Sequence, residues 1–93
     1  MEIKFDVEYH SDVGKVDLPK INQNMRLRIK KAIEERLMTD PLKYGTPLRK
    51  SLKSYWKLRI GDYRIVYNVK VSKVIIFGII HRKKVYKDIY SRL

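Results

Sequence analysis

The residues best suited to chemistry lie in one stretch and just beyond it. In Tyr55 to Asn68, YWKLRIGDYRIVYN, Trp56, Leu58 and Ile60 alternate with Lys57 and Arg59. That alternation predicts a strand with an oily face and a cationic face. Gly61-Asp62 marks a reversal, and a second run rich in β-formers, Tyr63 to Lys70, carries Arg64 just across it. His81 and Arg82 follow an apolar run, Val74 to Ile80. Pairing of that run with the second hairpin strand would carry Arg82 toward Lys57, Arg59 and Arg64. Such a set can hold a phosphate and stabilise charge that builds on it. An imidazole such as His81 can move a proton near neutral pH.

Composition narrows the partners. The 93 residues hold 22 Lys+Arg against 10 Asp+Glu, a formal net charge of +12. A chain this basic calls for a polyanionic partner: nucleic acid, a nucleic-acid machine, an anionic membrane surface or an acidic protein. Self-repulsion favours an acidic partner that compensates it. There is no cysteine, which excludes disulfides, thiolate nucleophiles and cysteine zinc sites and fits a reducing cytoplasm. The alternating, charged MEIKFDVEYH is unlike a signal peptide. The longest apolar run is too short to cross a bilayer as a helix. The expectation is one soluble domain spanning 1–93, with no membrane partner.

The remaining elements must position the cations. Glu2 to Tyr9 alternates Ile3, Phe5, Val7 and Tyr9 with charged residues and predicts a half-buried strand. His10 to Lys20 is a connection, with one helical turn between Asp12 and Val16. Ile21, Met25, Ile29, Ala32, Ile33 and Leu37 then predict an amphipathic helix over Lys20 to Met38, capped by Asp17 or a neighbour, with Pro19 in its first turn. Thr39-Asp40-Pro41 ends it. Leu42 to Ser54 reads as a basic connector with a turn and little regular structure. After the hairpin, Ser72-Lys73 makes the next turn. Val74 to Ile80 is apolar on both faces and predicts a central strand, with Gly78 marking a bulge or a close backbone approach. Val85, Ile89 and Leu93 predict a short helix folding back on the sheet.

This order, with "DP…YG.PLR", "WKLRIGDYRIVYNV" and "HRKKVY" in place, resembles the RelE/ParE toxin superfamily over roughly residues 1–90. The resemblance implies an α+β fold: a small antiparallel-rich sheet of about four strands, packed against one or two helices of the N-terminal half. It implies a toxin of a type II toxin–antitoxin system, held inactive by a cognate acidic antitoxin. Ribonuclease members enter the ribosomal A site and cut mRNA there. Gyrase-directed members share the fold and generally lack the ribonuclease residues.

Cutting RNA without a metal uses the adjacent 2′-hydroxyl as nucleophile. One group takes its proton, another stabilises charge on the phosphate, and a third protonates the departing 5′ oxygen. By the resemblance, Arg64 matches the arginine that stabilises the transition-state phosphate. Arg82 matches the basic residue after the last strand, with His81 or Lys83 as neighbours to which the role could slip. Tyr86 matches the tyrosine that stacks on or orients mRNA, and Lys57 matches a strand lysine that activates the 2′-hydroxyl. Tyr55 stands where a second such lysine would be, which leaves His81 as a substitute acid or base. Arg49, Lys50, Lys53, Arg59, Lys83 and Lys84 are the expected contacts to RNA and the ribosome. A carboxylate metal cluster is not apparent, and neither metal nor cofactor is expected.

Structural roles compete with each assignment. Lys57 and Arg59 could be a solvated strand face, Arg64 could pair with Asp62, and Tyr86 could pack a terminal helix. The expectation is a cytoplasmic, ribosome-dependent mRNA endonuclease that inhibits translation. Its rivals are a ParE-like gyrase inhibitor and an RNA-binding module with a degenerate site.

Overall fold

A computed structural model describes residues 4–49 and 54–92. Its centre is a five-stranded sheet in the order β1-β5-β4-β3-β2. The strands are β1 (Asp6–Tyr9), β2 (Thr46–Pro47), β3 (Trp56–Ile60), β4 (Tyr63–Lys70) and β5 (Lys73–His81). Only the β1–β5 pair is parallel, so the sheet is antiparallel-rich as expected. It has one strand more than the expected four. The extra one is β2, from the connector read as largely irregular. Pro47 is compatible with it because β2 is an edge strand and need not donate on both sides. The connector also holds a short helix, α2 (Pro41–Tyr44), which Pro41 opens at its first position.

The long helix starts later than its pattern predicts. Pro19 lies in a 3₁₀ turn, Leu18–Lys20, and Ile21 is extended. Asn22 is the cap: its side-chain oxygen accepts the Met25 N–H at 2.9 Å. α1 (Gln23–Ala32) then passes into a wider π turn, Ile33–Leu37, closed by Met38 N–H donating to the Ile33 carbonyl. Asp17, expected as the cap, is instead buried at the end of a π turn, Val13–Asp17. The helical turn expected in this connection is present.

The two faces of the sheet bury different layers. Ile29, Ala32, Ile33 and Leu37 pack on the face made by Leu58, Ile60, Ile65, Tyr67, Val74, Ile76 and Ile79. Trp56 borders that cluster, as a core anchor should. On the opposite face, Val66 and Ile80 meet Leu48 and the buried side of α3 (Val85–Tyr90), Val85 and Ile89. Leu93 lies outside the described residues.

Two turns set the registers. Gly61 has φ +57°, and the β3–β4 turn requires that left-handed conformation. The next turn is Val71–Ser72 rather than Ser72-Lys73. Val71 takes φ +53° and is 98% exposed, a conformation that its β-branched side chain disfavours and sequence alone does not signal. In β5 the register passes from Gly78, opposite Val66, to Ile76, opposite Tyr67, so Phe77 is an extra residue. Gly78 therefore marks both a bulge and a close approach: a Cβ there would lie 3.0 Å from the Arg92 guanidinium.

Candidate nucleic-acid interface

The cationic residues gather on the α3 side of the sheet. Side chains alternate along a strand, so Lys57 and Arg59 point away from Trp56, Leu58 and Ile60. Arg64 stands directly opposite Arg59 and opposite Ile80, which puts it on that same face. The turn after β5 adds Arg82 and Lys83, and the first turn of α3 adds Tyr86. Lys57, Arg64, Arg82, Lys83, Val85 and Tyr86 line one cleft of about 310 Å³. Four of these are cations and none is a carboxylate.

Arg64 is held by the backbone. Its Nη1 donates to the Gly61 and Tyr63 carbonyls, each at 3.0 Å. The Asp62 side chain pairs with Arg82 instead, at 3.6 Å and well exposed, which makes it a weak tie. The Arg82 N–H also donates to the Asp62 carbonyl at 2.8 Å, fixing the 81–84 turn to the hairpin. Desolvation holds the Arg64 guanidinium below its ordinary range, Arg59 and Arg82 push the same way, and Asp62 partly offsets them. Like charges directly across a sheet are destabilising, so the Arg59–Arg64 pairing is a local cost that an anion would relieve.

Tyr86 is half-buried at the cleft's edge. The Arg49 guanidinium sits 3.9 Å from its ring centre and Lys57 Nζ 5.9 Å. Arg49 was expected as an RNA contact, but its stack on Tyr86 has no signal in the sequence. Of the other expected contacts, Arg59 is exposed on the same sheet face as the cleft and Lys84 is exposed in the turn after β5, while Lys50 and Lys53 lie outside the described residues.

His81 does not join the cleft. It pairs with Tyr63 across β4–β5, and their rings meet edge-on at 5.7 Å, on the face where α1 packs. Its Nδ1 accepts the Lys83 N–H at 3.2 Å. It lines a second pocket beyond the 81–84 turn, with Lys20, Lys83 and Lys84. Geometry thus separates His81 from Lys57, Arg64, Arg82 and Tyr86, which it brings together. Pattern reading missed Lys20 at this second pocket, and it missed the buried partnership of Asp17 with Arg92.

The family described as the ParE toxin of the type II toxin–antitoxin system parDE matches residues 8–86. Toxin RelE3 of Methanocaldococcus jannaschii is 33% identical over 73 residues, covering 75% of this chain and 83% of that protein. Among solved structures, the RelBE2 toxin–antitoxin complex of Mycobacterium tuberculosis matches with a TM-score of 0.77 and 25% identity, over 88% of this chain and 95% of that one. The RelB–RelE antitoxin–toxin complex of Methanococcus jannaschii matches with a TM-score of 0.66 and 26% identity, over 87% and 96%. A double-arginine mutant of the Escherichia coli toxin RelE, bound to a RelBc peptide, shares the fold at a TM-score of 0.69 and 20% identity, over 92% and 94%.

Proposed function

This chain belongs to the RelE/ParE family of type II toxin–antitoxin toxins, and on that premise we propose that it is a ribosome-dependent mRNA endonuclease. The observation that carries the reading is the convergence of Lys57, Arg64, Arg82 and Lys83 on one cleft with Tyr86 at its margin. Arg59 facing Arg64 is a local cost that a phosphate seated in the cleft would offset.

In this mechanism the 2′-oxygen attacks the adjacent phosphorus and forms a P–O2′ bond as the P–O5′ bond breaks. The products are a 2′,3′-cyclic phosphate and a 5′-hydroxyl. Lys57 takes or orients the 2′ proton. Arg64, held by two carbonyls, needs little reorganisation to meet the charge that grows on the phosphate. Arg82 and Lys83 neutralise the departing 5′ oxygen, which takes its proton from solvent water. Tyr86 orients the RNA by stacking, once Arg49 shares or yields its ring. His81 faces away and is not assigned the proton transfer. The partners are the ribosome with its A-site mRNA, rRNA, and a cognate acidic antitoxin that covers the cationic face; the setting is the cytoplasm.

The test uses purified protein and programmed ribosomes carrying a codon in the A site, with mRNA ends mapped by primer extension. A cut within that codon is expected, absent from naked mRNA. Arg64→Ala should slow it by about 10²–10³-fold, the usual loss when one charge-stabilising donor is removed. No cut by the folded protein would reject the nuclease reading. The second reading is a ParE-like gyrase inhibitor without nuclease activity; the match to the ParE toxin description is its support, and a DNA supercoiling assay tests it.

A further inference from the structure

His81 and three lysines remain outside the mechanism, or at its margin, and they share one place. The 81–84 turn is a ridge between two hollows. On one side is the cleft with Lys57, Arg64 and Arg82. On the other is a pocket of about 350 Å³ lined by Lys20, His81, Lys83 and Lys84, with Tyr63, Ile79 and Ile80 among its apolar surface. Lys83 lines both. We propose that this second pocket is a nucleotide subsite, so that an RNA strand held in the cleft continues over Lys83 and places its next nucleotide against Lys20, Lys84 and His81. The proposal rests on the RNA-directed reading above and extends it.

Charge and hydrogen bonding both favour a nucleotide there. Two carboxylates lie in the pocket wall, Asp17 and Asp88. Asp17 is already engaged: both of its oxygens bind Arg92 and one also accepts the Ile79 N–H. With that pair neutral, three lysines face one remaining carboxylate, and an anion is favoured. The His81 ring is oriented as well. Nδ1 accepts from the Lys83 backbone, so the neutral ring carries its hydrogen on Nε2. That leaves an N–H donor on a ring held against Tyr63, able to meet a base edge or a phosphate oxygen. Apolar floor beneath cations is also how single-strand sites combine backbone neutralisation with base contact. Lys20 reaches the pocket from the 3₁₀ turn before α1, far in sequence from the strands that carry the cleft.

The test measures equilibrium binding of a fluorescent, 2′-O-methyl single-stranded oligoribonucleotide, and of the same strand one nucleotide shorter, across a salt series. The variants are K20A/K84A, Arg64→Ala, and K15A/K70A, which removes the same charge at exposed positions away from both hollows. In K20A/K84A the slope of log affinity against log salt should fall by about 0.7 for each phosphate no longer neutralised. The affinity gained from the extra nucleotide should vanish with it, while K15A/K70A keeps both. K20A/K84A behaving like K15A/K70A would overturn the subsite. If Arg64→Ala also binds like that control, the RNA-directed reading falls too. If Arg64→Ala alone weakens binding, only the subsite falls.

Discussion

Arg92 and Asp17, 75 positions apart, form a two-pronged ion pair with N–O distances of 2.6 and 2.7 Å. Each side chain is only 5% exposed. The pair closes on the bulge in β5: Arg92 also donates to the Phe77 carbonyl at 3.0 Å, and Asp17 accepts the Ile79 N–H at 2.9 Å. The pair thus binds the backbone on either side of Gly78, where the ladder skips a residue. It also ties the end of α3, which carries Tyr86, to the connection that carries Lys20. Asp17 holds Arg92 above its ordinary range, chiefly by the hydrogen bonds between them.

Removing Arg92 takes away the ion-pair partner of the buried Asp17 carboxylate, and removing Asp17 leaves the buried Arg92 guanidinium to the more exposed Asp12 at 3.6 Å. Asp17→Ala and Arg92→Ala should each cost about 3–5 kcal/mol in urea unfolding. The double variant should cost clearly less than the sum, because removing both charges leaves neither stranded. Additive losses would show that the two residues act separately.

Gly78→Ala probes the same junction from the strand. An added methyl would meet the Ile80 Cδ1 at 2.6 Å and the Arg92 guanidinium at 3.0 Å. Ile80 is buried and has little room to yield. A loss of about 1–3 kcal/mol is expected, as for other overpacked cores. Unchanged stability would mean that Arg92 does not sit tightly against β5.

Tyr67 anchors the connector that delivers Arg49. Its hydroxyl donates to the Pro41 carbonyl at 2.6 Å, deep in the core. Gly45 is required beside it, since a Cβ there would overlap that hydroxyl. Burial pushes the Tyr67 phenol well above its ordinary value of 10.0. As pH rises, the unfolded chain loses this proton first, so stability present below about pH 10 is lost above it. Tyr67→Phe should cost about 1 kcal/mol at neutral pH and flatten the decline above pH 10. A decline identical to that of the parent would assign it to other groups.

The sequence carried local information well and distant pairing poorly. Period-two alternation located the hairpin, and its register put Lys57, Arg59 and Arg64 on one face as expected. Apolar content on both faces marked β5 as central, which the β1-β5-β4 order bears out. Asp17 looked like a helix cap because capping is a local habit of aspartate, and nothing local announces Arg92 as its partner. Asn22, three residues before Met25, was the available signal for the true cap. His81 and Arg82 are adjacent in sequence, yet neighbours on a strand end point to opposite faces, so only one of them could reach the cleft. β2 was hidden because Pro47 argues against a strand everywhere except at an edge.

The last prediction separates stability from function at the cleft. Arg59 faces Arg64 directly, and relief of that repulsion should raise stability by about 0.2–1 kcal/mol in Arg59→Ala. Millimolar phosphate should do the same for the parent protein by binding the cleft, raising its melting temperature relative to chloride at equal ionic strength. Arg64→Ala should lose the phosphate response, since that guanidinium is the one held in place by the Gly61 and Tyr63 carbonyls. General salting effects would instead act equally on parent and variant. A stabilised Arg59→Ala that binds RNA less well would fit cations crowded for anion binding at the expense of the fold. A destabilised Arg59→Ala would instead assign Arg59 a packing role along β3.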